Sequence, residues 1–335
     1  MSVLPQTDTR TGKATGPRTA WARPAPGRRR MAGSQRRSAV FAFVVLTAPM
    51  LIGLGVFRYI AIGWSFLLSF SEARRTIALG HWVGLENYVF LFEDERFRGS
   101  LTMIVPFTAF IVPVTFTLSL ALAVLINRVR RGRAFFRTTF LLPAAVSYVA
   151  ATLIWKMSLF SGVPSGVANT LAILLGHEAT PWIQTYHPPL YWIVLITLRL
   201  WLQGGLYMIL FLAGLQAVPR QLYEAAQLDG ANAWQCFRHI TIPQLRNTSI
   251  AILLLMMINA LQAFDEFYNM FTPPAAGSEP IRTPLMSIFQ MALLDQDYGV
   301  GSAGAFVLTM LIVIVTLVQS RVFGFGRTET EEGTA

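Results

Sequence analysis

Residues 223–245 read YEAAQLDGANAWQCFRHITIPQL, a charged and turn-rich stretch that separates two long apolar runs. Pro219 precedes it with a fixed φ that suits a first helical turn, and the next residues are good helix formers. Gly230 is able to adopt a left-handed conformation and so end that helix. Apolar residues then recur at helical spacing, which predicts a second helix that stops before Pro243. The stretch is therefore predicted to form a helix, a glycine turn and a second helix.

The rest of the chain has the composition of a membrane protein. Only 13% of its 335 residues are charged and the mean hydropathy is +0.51, which is outside the range of ordinary soluble domains. Since about 20 apolar residues cross a bilayer core, we assign six spans, at residues 40–68, 101–126, 138–160, 191–216, 248–271 and 303–323. Lipid offers backbone groups no partner, so the fold class is predicted to be all-α, a polytopic membrane protein of six transmembrane helices. The third span is the weakest by hydropathy, because Pro143, Ser147 and Lys156 interrupt it.

The basic residues predict an orientation for these spans. Of the 27 Lys and Arg residues, 19 lie in the N-terminal tail, the 127–137 loop, the 217–247 loop and the C-terminal end, which is counted from Arg321 in the last turn of the sixth span. Only five lie in the other three connections, at residues 69–100, 161–190 and 272–302, and the remaining three lie in the interior of spans. The positive-inside rule therefore places both termini and the 217–247 loop in the cytoplasm. The net charge of +10 is a topology signal and does not indicate nucleic-acid binding.

The predicted domain organisation is simple. Residues 1–38 lack a periodic apolar face and read as a disordered basic tail that lies against anionic membrane lipid. Residues 39–325 are predicted to form the six-helix transmembrane domain, which includes the loop at 217–247. Residues 326–335 are predicted to be a second cytoplasmic tail.

Several kinds of chemistry are excluded by composition. The single cysteine, Cys236, excludes an internal disulfide and a cysteine-based metal cluster, and the four histidines are scattered. We therefore predict no metal site, no cofactor and no catalytic residues. A nucleotide-binding P-loop needs a lysine after a glycine-rich turn, and neither Lys13 nor Lys156 follows one. Any ATP is expected to be hydrolysed by another polypeptide.

The opening stretch resembles the EAA loop of permease subunits in bacterial ATP-binding-cassette (ABC) importers. The residues at the positions of that pattern are Glu224, Ala225, Ala226, Asp229, Gly230, Ala231, Phe237, Ile240 and Pro243. The resemblance implies a type I ABC importer permease fold. It also implies that this loop carries a coupling helix, formed around the positions 224–231, which docks in a cleft of a cytoplasmic ATPase subunit.

Other stretches are similar to the carbohydrate importers of the maltose and glycerol-phosphate type. They are WVGLENYVFLF at 82–92, GRAFFRTTFLLP at 132–143, IWK at 154–156, AFDEFYNMFT at 263–272 and YGVGSA at 298–303. The resemblance implies a bacterial plasma-membrane protein whose partners are a second, non-identical permease, an ATPase dimer and an extracytoplasmic solute-binding protein. Two features depart from that family: PPAAGSEP at 273–280 replaces a glycine-rich stretch, and Arg199 lies where the family is usually uncharged.

A polar stripe on the fifth span is the candidate solute path. Its members recur at spacings of 3, 4 and 3, which places them on one helical face: Asn259, Gln262, Glu266 and Asn269, with Asp265 and Tyr268 beside them. On the fourth span, Gln203 and Tyr207 are candidates for the facing wall. Such polar groups should point into the bundle or a wet cavity. They either bind sugar hydroxyls or make helix–helix hydrogen bonds without touching solute.

Two further expectations concern charges. An unpaired arginine inside a membrane is costly, so Arg199 is predicted to pair with Asp265 or Glu266. The segment 86–98 mixes charges with aromatic residues on the predicted outer side. It either helps to dock the binding protein or is a solvated loop tip.

Two other classes of protein remain open on the sequence alone. An ion-coupled secondary transporter would need no ATPase, and inverted repeats would favour it, but none is visible. A membrane-embedded enzyme would need clustered catalytic groups. The only two carboxylates that are adjacent in the sequence of a predicted span are Asp265 and Glu266.

Overall fold

The computed structural model describes residues 33–129, 131–185, 187–272 and 281–323, and within these ranges the regular structure is helical. Five helices are long and apolar enough to cross a membrane, and a bent pair supplies the sixth span. This confirms the predicted all-α, six-span architecture. The spans are span 1, Val40–Leu68; span 2, Glu95–Arg128; span 3, Arg133–Ala145 with Tyr148–Leu159; span 4, Tyr191–Ala217; span 5, Arg246–Phe271; and span 6, Tyr298–Phe323. The tails predicted at 1–38 and 326–335 lie largely or wholly outside these ranges.

The chain forms two compact units, one up to Ala61 and one from Ile62 onward. The first contains the helix Gly33–Leu54, which begins before residue 39, and a π-helical turn at Gly55–Ile60. Ala61–Leu68 completes span 1. The second unit contains the other five spans and the candidate site residues.

Span 3 is bent by 94° between its two halves. The first half consists of the helix Arg133–Leu141 and a 3-10 turn at Leu142–Ala145. The second half consists of the helix Tyr148–Ile154 and a π-helical turn at Trp155–Leu159. The bend follows Pro143, and Ser147 has an extended backbone with φ −60° and ψ 135°. Proline disfavours a continuous α-helix because it lacks an N–H and crowds the preceding turn, which accounts for the change to a 3-10 turn at Leu142–Ala145. The extended backbone at Ser147 then separates the two halves.

Span 4 lies at the centre of the second unit and packs against spans 2, 3 and 5. Gly205 allows the close packing against span 3, and its neighbour Gly204 accepts a hydrogen bond from span 2. The Ser119 hydroxyl of span 2 donates to the Gly204 carbonyl at 3.1 Å. A Cβ placed on Gly205 would lie 1.7 Å from the Phe140 carbonyl oxygen of span 3. Small residues at such contacts let helix backbones approach closely in membranes.

Span 5 is interrupted, which corrects the prediction of one continuous polar face. Helix Arg246–Leu261 ends at Gln262, and helix Asp265–Phe271 begins after it. The Ala263 N–H donates to the Ala260 carbonyl at 3.2 Å and not to Asn259, which lies four residues back. The stripe at 259, 262, 266 and 269 is therefore divided between two helical segments. The Asn259 carbonyl therefore receives no hydrogen bond from the N–H four residues later, which is its usual donor in an α-helix.

The connections contain shorter helices. Glu86–Glu93 and Val167–Leu174 are α-helical, and Pro284–Phe289 continues into a π-helical turn at Gln290–Leu294. Segment 86–98 is therefore not a loop: it is one short helix followed directly by span 2. Asp94 joins the two, because its side chain accepts from the Phe97 N–H at 2.8 Å and caps span 2.

Residues 223–245 lie in the predicted arrangement of a helix, a glycine turn and a second helix. Its first helix is Arg220–Leu228, and its second begins at Ala233–Cys236. The second helix does not stop before Pro243. A π-helical turn at Phe237–Thr241, where the Ile242 N–H donates five residues back to Phe237, leads into Ile242–Gln244. This wider turn comes just before the proline, which lacks an N–H, so the chain continues helically into span 5.

Candidate functional site

The glycine turn of the 217–247 loop has a defined geometry. Gly230 has a φ of +80°, as predicted for a residue that ends a helix in the left-handed conformation. Its N–H donates to Gln227 at 3.1 Å, and the Ala231 N–H donates to Ala226 at 2.8 Å. These are the two hydrogen bonds of a Schellman motif. The end of the first helix is therefore fixed by backbone bonds.

The second helix is fixed at its start by a capping box. The Asn232 side chain accepts from the Gln235 N–H at 2.9 Å, and the Gln235 side chain accepts from the Asn232 N–H at 2.8 Å. This reciprocal pair satisfies two backbone donors that a helix start would otherwise leave free. With both helix ends fixed, the turn between Asp229 and Asn232 is a defined corner.

This corner presents an exposed surface. Of the six predicted coupling residues, four are exposed and the two that are half-buried are Ala226 and Ala231; the exposed ones are Glu224, Ala225, Asp229 and Gly230. Leu228 is 89% exposed and Trp234 is 64% exposed. Large apolar side chains beside a charged turn are typical of a protein-binding surface.

A cavity of about 380 Å³ lies between this corner and the ends of spans 2 and 4. It is lined by Val124, Asn127, Arg128, Leu215, Tyr223, Gln227, Ala231, Ala233, Cys236, Phe237 and Thr241. The Tyr223 and Thr241 hydroxyls lie 3.0 Å apart and connect the first helix to the π-helical turn of the second. The cavity therefore lies between the corner and the ends of spans 2 and 4. The hydrogen bond between Tyr223 and Thr241 connects the two helices of the corner.

A second cluster of polar side chains lies inside the bundle around Arg199, which is 2% exposed. Its guanidinium forms an ion pair with Glu266, which is 3% exposed. It also donates to the Asn259 carbonyl at 2.8 Å, to Asn259 Oδ1 at 2.6 Å and to Gln203 Oε1 at 3.3 Å. The predicted pairing of Arg199 with one of the two carboxylates of span 5 is confirmed for Glu266.

The cluster extends to span 3 and span 2. Gln203 donates to the Tyr148 hydroxyl and to Asn259 Oδ1, the latter at 2.6 Å. The Arg199 guanidinium carbon lies 5.2 Å from the centre of the Phe107 ring, within the range of a cation–π contact. Four spans thus meet at one buried charge.

The other predicted path residues differ in how far they are exposed. Gln262 and Asp265 are exposed at the interruption of span 5, whereas Tyr207 is buried in the apolar core. Tyr268 is half-buried, and its ring stacks on Phe264 with the centroids 5.2 Å apart. The structure therefore brings Gln203, Asn259 and Glu266 together around Arg199, and it leaves Asn259, Gln262 and Asp265 exposed.

Three residues that make polar or cation–π contacts between spans were not among the predicted site residues. Tyr148 and Phe107 had no sequence signal, since aromatic residues are common in spans. Lys156 had a signal, because a lysine inside an apolar run needs a partner. Its Nζ donates to the Asn269 carbonyl at 3.1 Å, at the end of span 5. Across the described part of the chain, no group of three or more His, Cys, Asp or Glu side chains is arranged to hold a metal ion.

The five or six apolar spans define a polytopic membrane protein, and comparison with known proteins identifies its family. Residues 115–323 match the family described as binding-protein-dependent transport system inner membrane component. The chain belongs to this family. Its members are transport permeases and not enzymes. The predicted resemblance to carbohydrate ABC importer permeases is thereby confirmed, and the chain is a multi-pass membrane protein.

Its relatives include sugar permeases. It is 30% identical over 292 residues to the arabinooligosaccharides transport system permease protein AraP of Bacillus subtilis, covering 86% of this chain and 90% of the relative. It is 30% identical over 291 residues to the trehalose/maltose transport system permease protein MalF of Thermococcus litoralis, covering 87% and 96%. It is 32% identical over 285 residues to the osmoprotective compounds uptake permease protein GgtC of Synechocystis, covering 82% and 96%.

A solved structure has the same fold. The crystal structure of a bacterial ABC transporter involved in the import of the acidic polysaccharide alginate contains a chain that matches with a TM-score of 0.75 at 22% identity. The match covers 87% of this chain and 96% of that chain. It confirms the type I ABC importer permease fold.

Proposed function

We propose that the chain is the transmembrane permease subunit of an ATP-driven importer that moves a carbohydrate or related solute into the cell by alternating access. Its partners are a second, non-identical permease, an ATPase dimer and an extracytoplasmic solute-binding protein. It lies in a bacterial plasma membrane with both termini in the cytoplasm. Family membership and the names of its relatives support this proposal.

The observation that carries the proposal is the exposed corner of the 217–247 loop. Its two helix ends are fixed by the Schellman motif and the capping box, so a force applied there moves the corner as one body. Glu224 offers a charge and Leu228 an apolar side chain that is 89% exposed. Both suit docking on another protein.

The corner is also connected to the solute path. The second helix continues through Pro243 into span 5, and span 5 carries the interruption where Gln262 and Asp265 are exposed. When ATP closes the ATPase dimer, the docked corner moves with it. The helical connection transmits that movement to span 5, and the solute path beside its interruption changes the side of the membrane to which it opens.

The open surface of span 5 suits a carbohydrate. The Gln262 amide donates and accepts, and the Asp265 carboxylate accepts, so sugar hydroxyls find both kinds of partner. The aromatic group Phe264, Tyr268 and Phe289 lies beside them, with ring centroids 5.1 to 5.4 Å apart. Apolar faces of sugar rings pack on such aromatic surfaces. The second permease supplies the opposite wall.

The experiment uses the complete importer in proteoliposomes with two pairs of matched variants. Gly230→Pro forbids the φ of +80° at the corner, and Gly176→Pro forbids a φ of +83° at the end of another short helix. Glu224→Ala and Glu178→Ala each remove one exposed carboxylate. We expect the variants at 230 and 224 to lose uptake while ATP hydrolysis continues uncoupled, and the variants at 176 and 178 to retain uptake.

Two results would contradict this proposal. One is uptake at the wild-type rate in Gly230→Pro and Glu224→Ala. The other is equal loss in the control variants, because that would show a general effect on folding and not a role of the corner.

A further inference from the structure

We infer that Arg199 is a positioning residue that holds the two halves of span 5 on either side of its interruption. The interruption comprises Gln262, Ala263 and Phe264. By fixing it, Arg199 determines how Gln262 and Asp265 face open space. Only the statement that this space is the solute path rests on the proposed function.

The first contact is with the half before the interruption. Because the Ala263 N–H turns to Ala260, the Asn259 carbonyl lacks the donor that a continuous helix would give it. Arg199 supplies one from span 4, at 2.8 Å, and donates to the Asn259 side chain at 2.6 Å. A freed carbonyl inside a membrane protein needs such a partner. The guanidinium therefore stabilises the interrupted form of the helix over the continuous form.

The second contact is with the half after the interruption. Glu266 lies in the first turn of Asp265–Phe271, and its carboxylate pairs with Arg199. One guanidinium thus bridges Asn259 and Glu266 across the break. Arginine suits this role because its planar fork directs several N–H groups at fixed angles, whereas lysine carries a single compact charge.

Arg199 is itself held in place and is not available to a solute. Its Nε donates to Gln203, its guanidinium lies over the Phe107 ring, and the residue is 2% exposed. Its charge is balanced by Glu266 and three further oxygen contacts. By contrast, Gln262 and Asp265 are exposed. Asn259 is exposed as well, so Gln203 and Glu266 support the path from inside the bundle, and the surface open to a solute comprises Asn259 and the interruption.

A distance measurement across the interruption tests this role in the complete importer. Cys236→Ser removes the single native cysteine, and spin labels are attached at Leu255→Cys and Thr272→Cys, which flank the break. A straight helix would separate these positions by about 26 Å, at about 1.5 Å per residue. A control pair, Asn247→Cys and Leu255→Cys, lies within the helix Arg246–Leu261. Pulsed electron paramagnetic resonance gives the distance across the break, and continuous-wave line broadening gives the control distance of about 12 Å.

Two variants test the contacts. Arg199→Met with Glu266→Gln removes both charges without stranding either one. Arg199→Lys keeps the ion pair with Glu266, but one ammonium group replaces the fork that also holds both oxygens of Asn259. We expect one narrow distance in the parent protein. In both variants we expect the distance across the break to broaden or shift by several ångströms, while the control distance stays unchanged.

Three results would overturn the inference. An unchanged distance across the break in both variants would show that Arg199 does not hold the break. An unchanged distance in Arg199→Lys alone would show that the ion pair is sufficient and the bridge to Asn259 is not needed. A change in the control pair would show general loosening of span 5. None of these readouts requires transport, so failure of the proposed function would appear separately, as absent uptake in the parent importer.

Discussion

The contact between span 3 and span 4 at Gly205 gives a prediction with a magnitude. A Cβ at this position would lie 1.7 Å from the Phe140 carbonyl oxygen and 2.5 Å from its carbonyl carbon. Real Cβ atoms essentially never approach other atoms within 3.0 Å. Gly205→Ala therefore forces the backbone of span 3 to move away by about 1.3 Å, because the obstructing atoms are backbone and cannot rotate aside.

The expected cost is at the upper end of the range for overpacking. Inserting a methyl group into a packed interior typically costs about 1–3 kcal/mol, and occasionally more. An unfolding entropy of about 2.1 cal/mol/K per residue gives about 0.7 kcal/mol/K for 335 residues, so we expect a cost of about 3 kcal/mol in Gly205→Ala to lower Tm by about 4 °C. Gly204→Ala is the matched control, because a Cβ there meets nothing within 4 Å.

The assay is thermal unfolding of the purified importer in one fixed lipid and detergent mixture, with both variants measured beside the parent. Gly205→Ala is expected to be clearly less stable than Gly204→Ala, which should match the parent within about 1 °C. Equal Tm values for the two alanine variants would refute the close approach of span 3 to Gly205.

Three further predictions follow from single contacts. Reversing the exposed charges Glu93 and Glu95 to lysine is expected to weaken stimulation of ATP hydrolysis by the binding protein, mostly at low salt because exposed charges are screened; Asp94 is left unchanged since it caps span 2, and undiminished stimulation at low salt would contradict docking there. Asn232→Ala removes the capping box and should cost about 0.5–2 kcal/mol of local stability, seen as faster hydrogen exchange in the following turn; Asn232→Ser should restore protection, and unchanged exchange in the alanine variant would argue against the cap. Arg74→Ala breaks the 2.9 Å ion pair with Asp297, but Arg74 has a side chain that is 67% exposed, so the loss should stay below about 1 kcal/mol; a fall in Tm of 5 °C or more would show that this pair is structurally important.

Much of the fold was predictable because the signals are local. Long apolar runs identified the six spans, and Gly230 identified the corner of the 217–247 loop. The bend of span 3 was visible as a weakness, since Pro143 and Ser147 interrupt its hydropathy. These features depend on residues that are adjacent in the sequence.

The interruption of span 5 was not predictable, because its cause lies in another span. The residues from Asn259 to Glu266 have the spacing of one helical face, and nothing local forbids a helix. The alternative hydrogen bonds come from Arg199, 60 residues earlier in the chain. The cost of an unpaired arginine inside a membrane correctly predicted that Arg199 pairs with a carboxylate, but it could not show that the same guanidinium also contacts a backbone carbonyl.

The prediction that the second loop helix stops before Pro243 was wrong for a different reason. Proline usually ends a helix because it lacks an N–H and its ring crowds the preceding turn. Here a π-helical turn from Phe237 to Thr241 changes the hydrogen-bond spacing just before it. Such a turn has no sequence signature, so the proline was read as a stop.

The proposed function requires that ATP hydrolysed by a partner drives solute movement through this chain. The most direct measurement is uptake of a labelled oligosaccharide into proteoliposomes that contain the complete importer, with the loaded binding protein outside. The lumen holds either ATP or a non-hydrolysable analogue, and ionophores abolish all ion gradients. We predict accumulation with lumenal ATP that ionophores do not reduce, and none with the analogue. Uptake that persists without hydrolysable ATP and disappears with the ionophores would contradict the account and indicate an ion-coupled transporter.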